Sequence, residues 1–287
     1  MEYAELGKTG RKVSRIGFGG ATAGLKNYIQ PFDPASDEDR APVIAAIRRA
    51  VEKGINYFDT APAYGDGWSE KIFGEALEPF PPDKFFLATK FTIGGRPATV
   101  RESVEASLKR LKREKLDLIQ LHGTVYTPEQ EDLIFRSGGL LDQMVRIKQD
   151  GLASFIGFSV EAQDPVTFRL IRCGSFDCMQ VCYNFIFQHP YDPGWKSGSL
   201  YEAERAGMGI IAMRSTTSGI FQKWVRKVNP EDSFDYTASL IQFELSNPLV
   251  DVALVGMRDP RIVDANAMIA DDLSGRIDIE ELFKRYV

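Results

Sequence analysis

Cysteine and histidine are scarce in this chain of 287 residues, which has three of the former and two of the latter. The cysteines, Cys173, Cys178 and Cys182, contain no CxxC pair. We therefore expect a reducing compartment, with neither a disulfide framework nor a closed zinc site. Two histidines also argue against a metal-dependent hydrolase, which needs several histidine or carboxylate ligands. Packing within a strand is the simplest interpretation of Cys178 and Cys182.

Other signals are missing as well. No apolar run is long enough to span a bilayer, and no apolar block near the N-terminus resembles a signal peptide. The net charge of −5 does not favour nucleic acid, whose partners are usually basic. No stretch has the composition of a linker. We expect a single domain over residues 1–287, located in the cytoplasm, with no nucleic-acid or membrane partner. The oligomeric state is left open.

What the chain does contain is a recurring unit, a short apolar strand followed by an amphipathic helix. The unit occurs about eight times, which is the number in a closed (β/α)8 barrel. Residues 3–14 precede it and predict an N-terminal β-hairpin around Gly7–Gly10. The fold class predicted is thus α/β, a (β/α)8 TIM barrel with an N-terminal β-hairpin. An open doubly wound sheet is the rival, but GFGGAT lacks the GxGxxG spacing of its fingerprint. The strands are predicted at Ile16–Phe18, Tyr57–Asp59, Phe85–Lys90, Leu116–His122, Phe155–Ser159, Cys178–Tyr183, Gly209–Met213 and Asp251–Gly256.

Charged or polar residues end three consecutive predicted strands. Asp59, Lys90 and His122 are the last residues of these strands, and Tyr64 follows in the loop after Asp59. Active sites of these barrels lie at the C-terminal ends of the strands. We therefore expect the four side chains to share one mouth. A buried Asp59 needs a cationic partner, and Lys90 is the candidate. A structural ion pair at the rim is the alternative for these two residues.

The four residue types form a proton donor for a carbonyl oxygen. A free tyrosine has a pKa of about 10, and we expect a neighbouring lysine to lower it towards the working range. The carboxylate keeps the lysine charged, and the histidine can hydrogen-bond the same oxygen. No serine or cysteine stands beside a base as a nucleophile. Hydride must therefore come from a cofactor.

An ordered set of motifs along nearly the whole chain resembles the aldo-keto reductase family. These motifs are LGKTGRKVSRIGFGG, GINYFDTAPAYGDGWSE, FLATK, LDLIQLH, IGFSV, MQVCYN and LVGMRDPRIVDAN. The resemblance implies a barrel that binds NADPH (NADP+) and reduces an aldehyde or ketone to an alcohol, or the reverse. It also implies that the catalytic residues are Asp59, Tyr64, Lys90 and His122, with Tyr64 as the general acid. The partner would be a small carbonyl or alcohol substrate. A non-catalytic nucleotide-binding barrel, acting as a regulatory subunit, is the alternative.

The same resemblance implies a set of cofactor-binding residues. Gly20 and Ala21 would lie near the nicotinamide ribose, Ser159 and Gln180 would hold the carboxamide, and Arg258 would meet the 2′-phosphate. Three positions depart from the family pattern: Val160 replaces the usual asparagine, Met213 the usual aromatic residue and Ala265 the usual acidic residue. The complete cofactor set is Gly20, Ala21, Asp59, Ser159, Gln180, Met213, Gly256, Arg258 and Asn266.

The chain is most similar to the subgroup whose members often carry a C-terminal iron–sulfur extension. Cys182 is the last cysteine, and three cysteines cannot supply four thiolates. We expect the extension to be absent, with no metal and no iron–sulfur cluster. The sequence does not name the substrate. Its pocket is expected between loops 21–36, 124–137, 184–198 and 215–234, with an aromatic lining drawn from Tyr28, Tyr126, Phe187, Trp195 and Trp224.

Overall fold

Eight parallel strands close into a barrel in the computed structural model, which describes residues 1–95 and 99–284. The strands follow one another around the barrel in chain order, and the last strand pairs with the first. This arrangement confirms the predicted fold class, and every strand that was predicted is present with bounds shifted by at most two residues. The strands are β3 (Ile16–Gly19), β4 (Tyr57–Asp59), β5 (Phe86–Thr92), β6 (Leu116–His122), β7 (Ala153–Val160), β8 (Cys178–Cys182), β9 (Gly209–Met213) and β10 (Val252–Val255).

The predicted hairpin is also confirmed, and it closes the N-terminal end of the barrel. Strands β1 (Tyr3–Glu5) and β2 (Lys12–Ser14) pair antiparallel. Leu6, at the end of β1, is fully buried and packs with residues of the barrel interior. Gly209 begins β9 beneath it, where an added Cβ would lie 2.6 Å from Leu6. The hairpin therefore fills one end, and the opposite end is left for a site.

Twelve α-helices complete the fold within the described residues, and several begin at side-chain caps that are visible in the sequence. Ser36 caps α2 by accepting a hydrogen bond from the Asp39 amide. Thr127 and Gln130 form a reciprocal capping box at α5. The helices are α1 (Ala21–Gly24), α2 (Asp37–Glu52), α3 (Trp68–Leu77), α4 (Val100–Leu111), α5 (Pro128–Phe135), α6 (Leu140–Gln149), α7 (Pro165–Arg172), α8 (Ser199–Arg205), α9 (Ile220–Val228), α10 (Thr237–Leu245), α11 (Pro260–Asp271) and α12 (Ile279–Lys284).

The core has two layers, as expected when helices surround a parallel sheet. One apolar layer lies inside the barrel and includes Tyr57, Phe86, Leu118 and Ile211. The larger layer lies between the outer faces of the strands and the helices. Cys178 and Cys182 are buried on β8 and unpaired, which confirms their interpretation as strand-packing residues.

Four helices were not predicted. Helices α1, α5 and α9 lie inside stretches that were expected to be loops, and α12 follows the last predicted helix. Within the described parts of the chain, none of the helices combines the length and the apolar character needed to cross a membrane. The single domain over residues 1–287 stays a prediction, and it includes residues 96–98 and 285–287, which lie outside the described residues.

Candidate active site

A cavity of about 470 Å³ lies at the C-terminal ends of the barrel strands, and it contains all four residues predicted to be catalytic. Asp59 ends β4, Lys90 lies in β5, His122 ends β6, and Tyr64 comes from the loop after β4. A second, more apolar cavity of about 910 Å³ lies between α10, α11 and the segment around Ile277. None of the four predicted catalytic residues lines it.

The buried centre of the site is an ion pair. Lys90 donates from Nζ to Asp59 Oδ1 at 2.5 Å and to the Thr60 carbonyl at 3.0 Å. Both charged side chains are almost fully buried. Gln120, two residues before His122 on β6, donates to the second carboxylate oxygen of Asp59 at 3.1 Å. A buried charge pair with its remaining oxygen satisfied in this way keeps a fixed orientation.

Tyr64 is brought over this pair by a tight turn. Gly65, Asp66 and Gly67 follow it with positive φ values of 67°, 51° and 84°. The turn packs against Gly24 at the end of α1, where an added Cβ would lie 2.2 Å from the Tyr64 carbonyl oxygen. A glycine is therefore required at position 24 for the loop to approach. The Lys90 Nζ lies 5.2 Å from the centroid of the Tyr64 ring.

His122 completes the group from the other side. Its ring meets the Tyr64 ring edge to face, with centroids 5.6 Å apart and an interplanar angle of 88°. Burial, together with the nearby Lys90 charge, lowers the pKa of His122 to about 3. The imidazole is therefore neutral at neutral pH, so that it can donate a hydrogen bond but holds no extra proton to give away.

The pKa of Tyr64 does not shift in the predicted direction. Burial raises the pKa of Tyr64 above its ordinary value, and the Lys90 charge opposes this rise without reversing it. The expectation of a lowered pKa was therefore wrong in net direction, because desolvation of the phenolate outweighs the attraction of the ammonium. Although burial lowers the pKa of Lys90, attraction to Asp59 and Tyr64 raises it overall. The site thus holds a protonated phenol beside a charged ammonium.

The residues expected at the carboxamide lie on neighbouring strands. Ser159 on β7 is directly opposite Gln180 on β8. The Ser159 hydroxyl exchanges hydrogen bonds of 3.1 Å with the backbone of Gly123. Gln180 accepts from Gln120 at 3.1 Å and approaches the Met213 sulfur with its amide nitrogen at 3.5 Å. The three side chains Ser159, Gln180 and Met213 all line the cavity.

The residues expected at the ribose and adenosine ends lie around the opposite side of the barrel mouth. An added Cβ at Gly20 would lie 2.7 Å from the Asp59 carbonyl oxygen, and one at Gly256 would lie 2.6 Å from the Thr22 side chain. Both glycines therefore permit close backbone approach. Eight of the nine predicted cofactor residues line the cavity; Asn266, buried on α11, does not.

Arg258 is more constrained than the sequence suggested. Its guanidinium donates to the backbone carbonyls of Thr22 at 2.6 Å, Tyr28 at 3.1 Å and Gln30 at 3.5 Å. It also lies over the Phe32 ring, 4.2 Å from the centroid. These contacts hold the loop after β3 against the cavity. Two of the five N–H donors of an arginine are left for a ligand.

The aromatic lining differs from expectation. Only Tyr28 of the five candidates lines the cavity. Tyr126 is buried and donates to the Ser159 carbonyl at 2.9 Å, while Trp195 and Trp224 are 86% and 60% exposed. The sequence does not indicate whether a loop turns an aromatic side chain towards the cavity or away from it.

Three further residues of the site, Gln120, Glu161 and Arg214, were not predicted from the sequence. Gln120 could have been found, since it lies two positions from His122 on one strand and so faces the same side. Glu161 and Arg214 form an ion pair of 2.7 Å that lines the cavity. Each lies just beyond a strand end, after Val160 and Met213 respectively. A charged or polar residue at the end of a strand indicates a residue of the site. This signal identified residues on β4, β5 and β6, but it was not applied to the ends of β7 and β9.

The comparisons with known proteins agree with this architecture. The sequence profile of the aldo/keto reductase family matches residues 15–254. The chain is 27% identical to L-galactose dehydrogenase of Arabidopsis thaliana, over 95% of this chain and 89% of the relative. It is 25% identical to D-threo-aldose 1-dehydrogenase of a Pseudomonas species, over 91% and 90%. A solved aldo/keto reductase of Klebsiella pneumoniae, in complex with NADP and acetate, shares the fold with a TM-score of 0.72 at 20% identity, over 98% and 93% of the two chains.

Proposed function

The chain belongs to the aldo/keto reductase family, and on that premise we propose that the cavity at its strand ends is the active site of an NADPH-dependent oxidoreductase. The reaction interconverts an aldehyde or ketone and an alcohol. The observation that carries this proposal is the convergence of Asp59, Tyr64, Lys90 and His122 in one cavity, with Tyr64 protonated and His122 neutral. That combination provides one proton donor and one neutral hydrogen-bond donor for a single oxygen.

Each residue has a separate task in the proposed mechanism. Tyr64 donates its proton to the carbonyl oxygen as negative charge develops there. Lys90, held by Asp59, stabilises the phenolate that is left behind. His122 donates a hydrogen bond to the same oxygen and so fixes the orientation of the carbonyl. Gln120 acts as a positioning residue, since it contacts Asp59 and Gln180 and no reacting atom.

The residues present fit a nicotinamide dinucleotide, which supplies the hydride when bound. Two buried polar atoms beside the cofactor candidates, Thr22 Oγ1 and Asn266 Nδ2, have no hydrogen-bond partner among the described residues. Such atoms are costly unless a ligand or water satisfies them. Ser159 and Gln180 would hold the carboxamide, Gly20 and Ala21 the ribose, and Gly256, Arg258 and Asn266 the adenosine end. Met213 would pack on the nicotinamide ring.

The substrate is a small carbonyl or alcohol compound. Both relatives named above are dehydrogenases of sugars, which supports including aldoses, tested in the direction of oxidation. We propose the cytoplasm as the location, supported by three unpaired cysteines. The test is a panel of aldehydes, ketones and aldoses followed by NADPH absorbance. Turnover of at least one compound is expected, whereas tight cofactor binding without turnover across the panel would favour the non-catalytic barrel.

A further inference from the structure

We propose that residues 220–236, which contain helix α9, form the interface of a two-fold homodimer of this chain. Helix α9 is amphipathic, and none of its residues is buried. Its apolar residues Ile220, Trp224 and Val228 are 50%, 60% and 71% exposed. Because residues four apart lie on the same side of a helix, these three form one apolar stripe that faces solvent. The inference is independent of the proposed function, since it needs neither cofactor nor substrate.

Ring contacts connect this stripe to the second, more apolar cavity. The Trp224 ring lies 6.3 Å from the Phe221 ring, which lies 5.2 Å from Tyr236 and 5.6 Å from Phe185. Phe234, itself 61% exposed, lies 4.8 Å from Tyr236. The cavity is lined by Phe185, Phe221 and Tyr236. Exposed rings that adjoin an apolar cavity form a contiguous patch, and such a patch on a soluble protein marks an interaction site.

The charges around this apolar patch fall into two blocks. The chain reverses direction after α9, since Phe221 in the first turn of the helix contacts Tyr236. Three bases precede Asn229 and three acids follow it, in both cases at two, three and six residues from Asn229. One edge of the patch is therefore basic and the other is acidic. The bases are Lys223, Arg226 and Lys227, and the acids are Glu231, Asp232 and Asp235.

These charges are not paired within the chain. None of the six belongs to a salt bridge among the residues that the structure describes. Arg226 attracts Asp232 and Asp235 but is in ion-pair contact with neither. The three bases and Glu231 are exposed. The patch thus presents both kinds of charge to a partner.

A second copy of the chain satisfies both edges at once. In a two-fold interface the same patch is used by both copies, so that if residue i contacts residue j, then j contacts i as well. An axis that runs between α9 and residues 229–236 places the basic edge of each copy against the acidic edge of the other. Positions equally distant from Asn229 then face each other across the axis. These pairs are Lys223 with Asp235, Arg226 with Asp232, Lys227 with Glu231, and Trp224 with Phe234.

The arrangement also matches the usual composition of an interface. The exposed aromatic residues lie at the centre, where interfaces are enriched in tryptophan and phenylalanine, and the charges lie at the rim. Complementary rim charges mainly fix the register and the choice of partner. The apolar centre is therefore expected to supply most of the affinity, and the charged edges to select a second copy of the same chain.

An anionic membrane is the other partner that a basic amphipathic helix can bind. The acidic edge argues against it, because the three acids after Asn229 balance the three bases before it. The net charge of the chain, −5, has the wrong sign as well. An anionic lipid surface would repel one edge of the patch while it attracts the other, whereas a second copy attracts both.

The first measurement is the mass of the protein in solution by sedimentation equilibrium. We expect twice the chain mass of 32.1 kDa, with a dissociation constant in the micromolar range or below. Trp224→Glu should weaken self-association by at least about 30-fold, the level of an aromatic hot spot. Trp195→Glu is the matched control, since Trp195 is 86% exposed and does not line the apolar cavity. It should leave the dimer intact.

Charge reversal in two separate chains distinguishes contact between copies from attraction within one chain. Lys223→Glu/Lys227→Glu makes both edges acidic, and Glu231→Lys/Asp235→Lys makes both largely basic. Each variant alone should associate about tenfold more weakly than wild type or less, and their mixture should form a heterodimer. High salt should weaken the wild-type dimer, because exposed charges are screened. Asp235 also accepts from the Thr237 amide, so Glu231→Lys alone replaces the second variant if its thermal melt falls.

Four results would overturn the inference. The first is wild-type protein that stays monomeric up to about 100 µM, far above the dissociation constants of standard interfaces. The second is an equal loss of association in Trp195→Glu and Trp224→Glu. The third is a mixture of the two charge-reversed variants that forms no heterodimer, which would assign these charges to attraction within the chain. The fourth is a monomer that sediments with phosphatidylserine vesicles and not with phosphatidylcholine vesicles, which would assign the patch to a membrane.

Discussion

Replacing Tyr64 by phenylalanine removes one hydroxyl from the candidate active site and leaves its surroundings intact. The Tyr64 ring packs edge to face on His122 and lies near the Lys90 ammonium, and a phenylalanine ring keeps both contacts. The Asp59–Lys90 pair does not depend on the hydroxyl, since Lys90 is held by Asp59 and the Thr60 carbonyl. The substitution should therefore remove the proton donor and its hydrogen bond with Lys90, and leave the ion pair in place.

The size of the effect follows from what else in the cavity can donate a proton. General acid catalysis contributes about 10² to 10⁴ in rate, which corresponds to about 3 to 5.5 kcal/mol of transition-state stabilisation. His122, with a pKa lowered to about 3, is protonated in only about one molecule in 10⁴ at pH 7. It is therefore a poor replacement. We expect kcat for carbonyl reduction to fall by about 10² to 10⁴.

The assay is steady-state loss of NADPH absorbance with the best carbonyl of the panel, together with fluorescence titration of the cofactor. Tyr236→Phe is the matched control, because its hydroxyl contacts Asp232 away from the cavity. Cofactor affinity should be unchanged in both variants, and kcat should fall in the Tyr64 variant only. A kcat within about tenfold of wild type, alongside a loss of several orders in His122→Ala, would make His122 the acid.

Further predictions concern the ion pair, the pH dependence, the loop contact and the metal content. Lys90→Met leaves Asp59 buried without its partner and should lower the free energy of unfolding, measured with urea, by about 3 to 5 kcal/mol, and the double variant Asp59→Asn/Lys90→Met should restore part of this loss. A change below about 1 kcal/mol, the level of a surface ion pair, would mean that the pair is not buried. Because burial raises the pKa of Tyr64, the phenol stays protonated through neutral pH. The kcat for reduction should therefore be constant between about pH 6 and 9, whereas the kcat for alcohol oxidation, which needs the phenolate, should rise with pH. A reduction profile that follows a group with a pKa of about 6.5 would assign the proton to a histidine. Gly24→Ala places a Cβ 2.2 Å from the Tyr64 carbonyl oxygen and should cost about 1 to 3 kcal/mol of stability by overpacking, measured by urea unfolding; wild-type stability would show that the loop can move away freely. Purified protein should contain no stoichiometric iron by elemental analysis, since three cysteines cannot supply four thiolates, and a monomer with stoichiometric iron and sulfide would contradict this.

The barrel could be predicted from the sequence because its signals are local and repeated. Each strand is a short, largely apolar run, and the helices show their own periodicity and caps. Helix α9 was not predicted, and none of its residues is buried in the fold. Its amphipathic pattern was present, but it follows a turn with several left-handed residues, and such turns are not readable from residue type alone.

The residues that form the catalytic part of the candidate site could be predicted from the sequence, but the directions of their pKa shifts could not. Strand ends place Asp59, Lys90 and His122 together because the barrel fixes where strands end. The direction of the Tyr64 pKa depends instead on burial, which several distant segments create, so the attraction to Lys90 alone gave the wrong sign. The contacts of Arg258 depend in the same way on the path of the loop after β3.

The central claim is that this cavity transfers hydride to a carbonyl carbon while Tyr64 supplies the proton. The most direct test is a reaction with NADPH that carries deuterium in both positions at C4 of the nicotinamide, using the carbonyl panel and mass spectrometry of the products. We expect one deuterium on the former carbonyl carbon of the alcohol product, formed by the wild-type protein and, at a greatly reduced rate, by Tyr64→Phe. Cofactor that binds and is not consumed with any carbonyl compound, or an alcohol product without deuterium at that carbon, would contradict it.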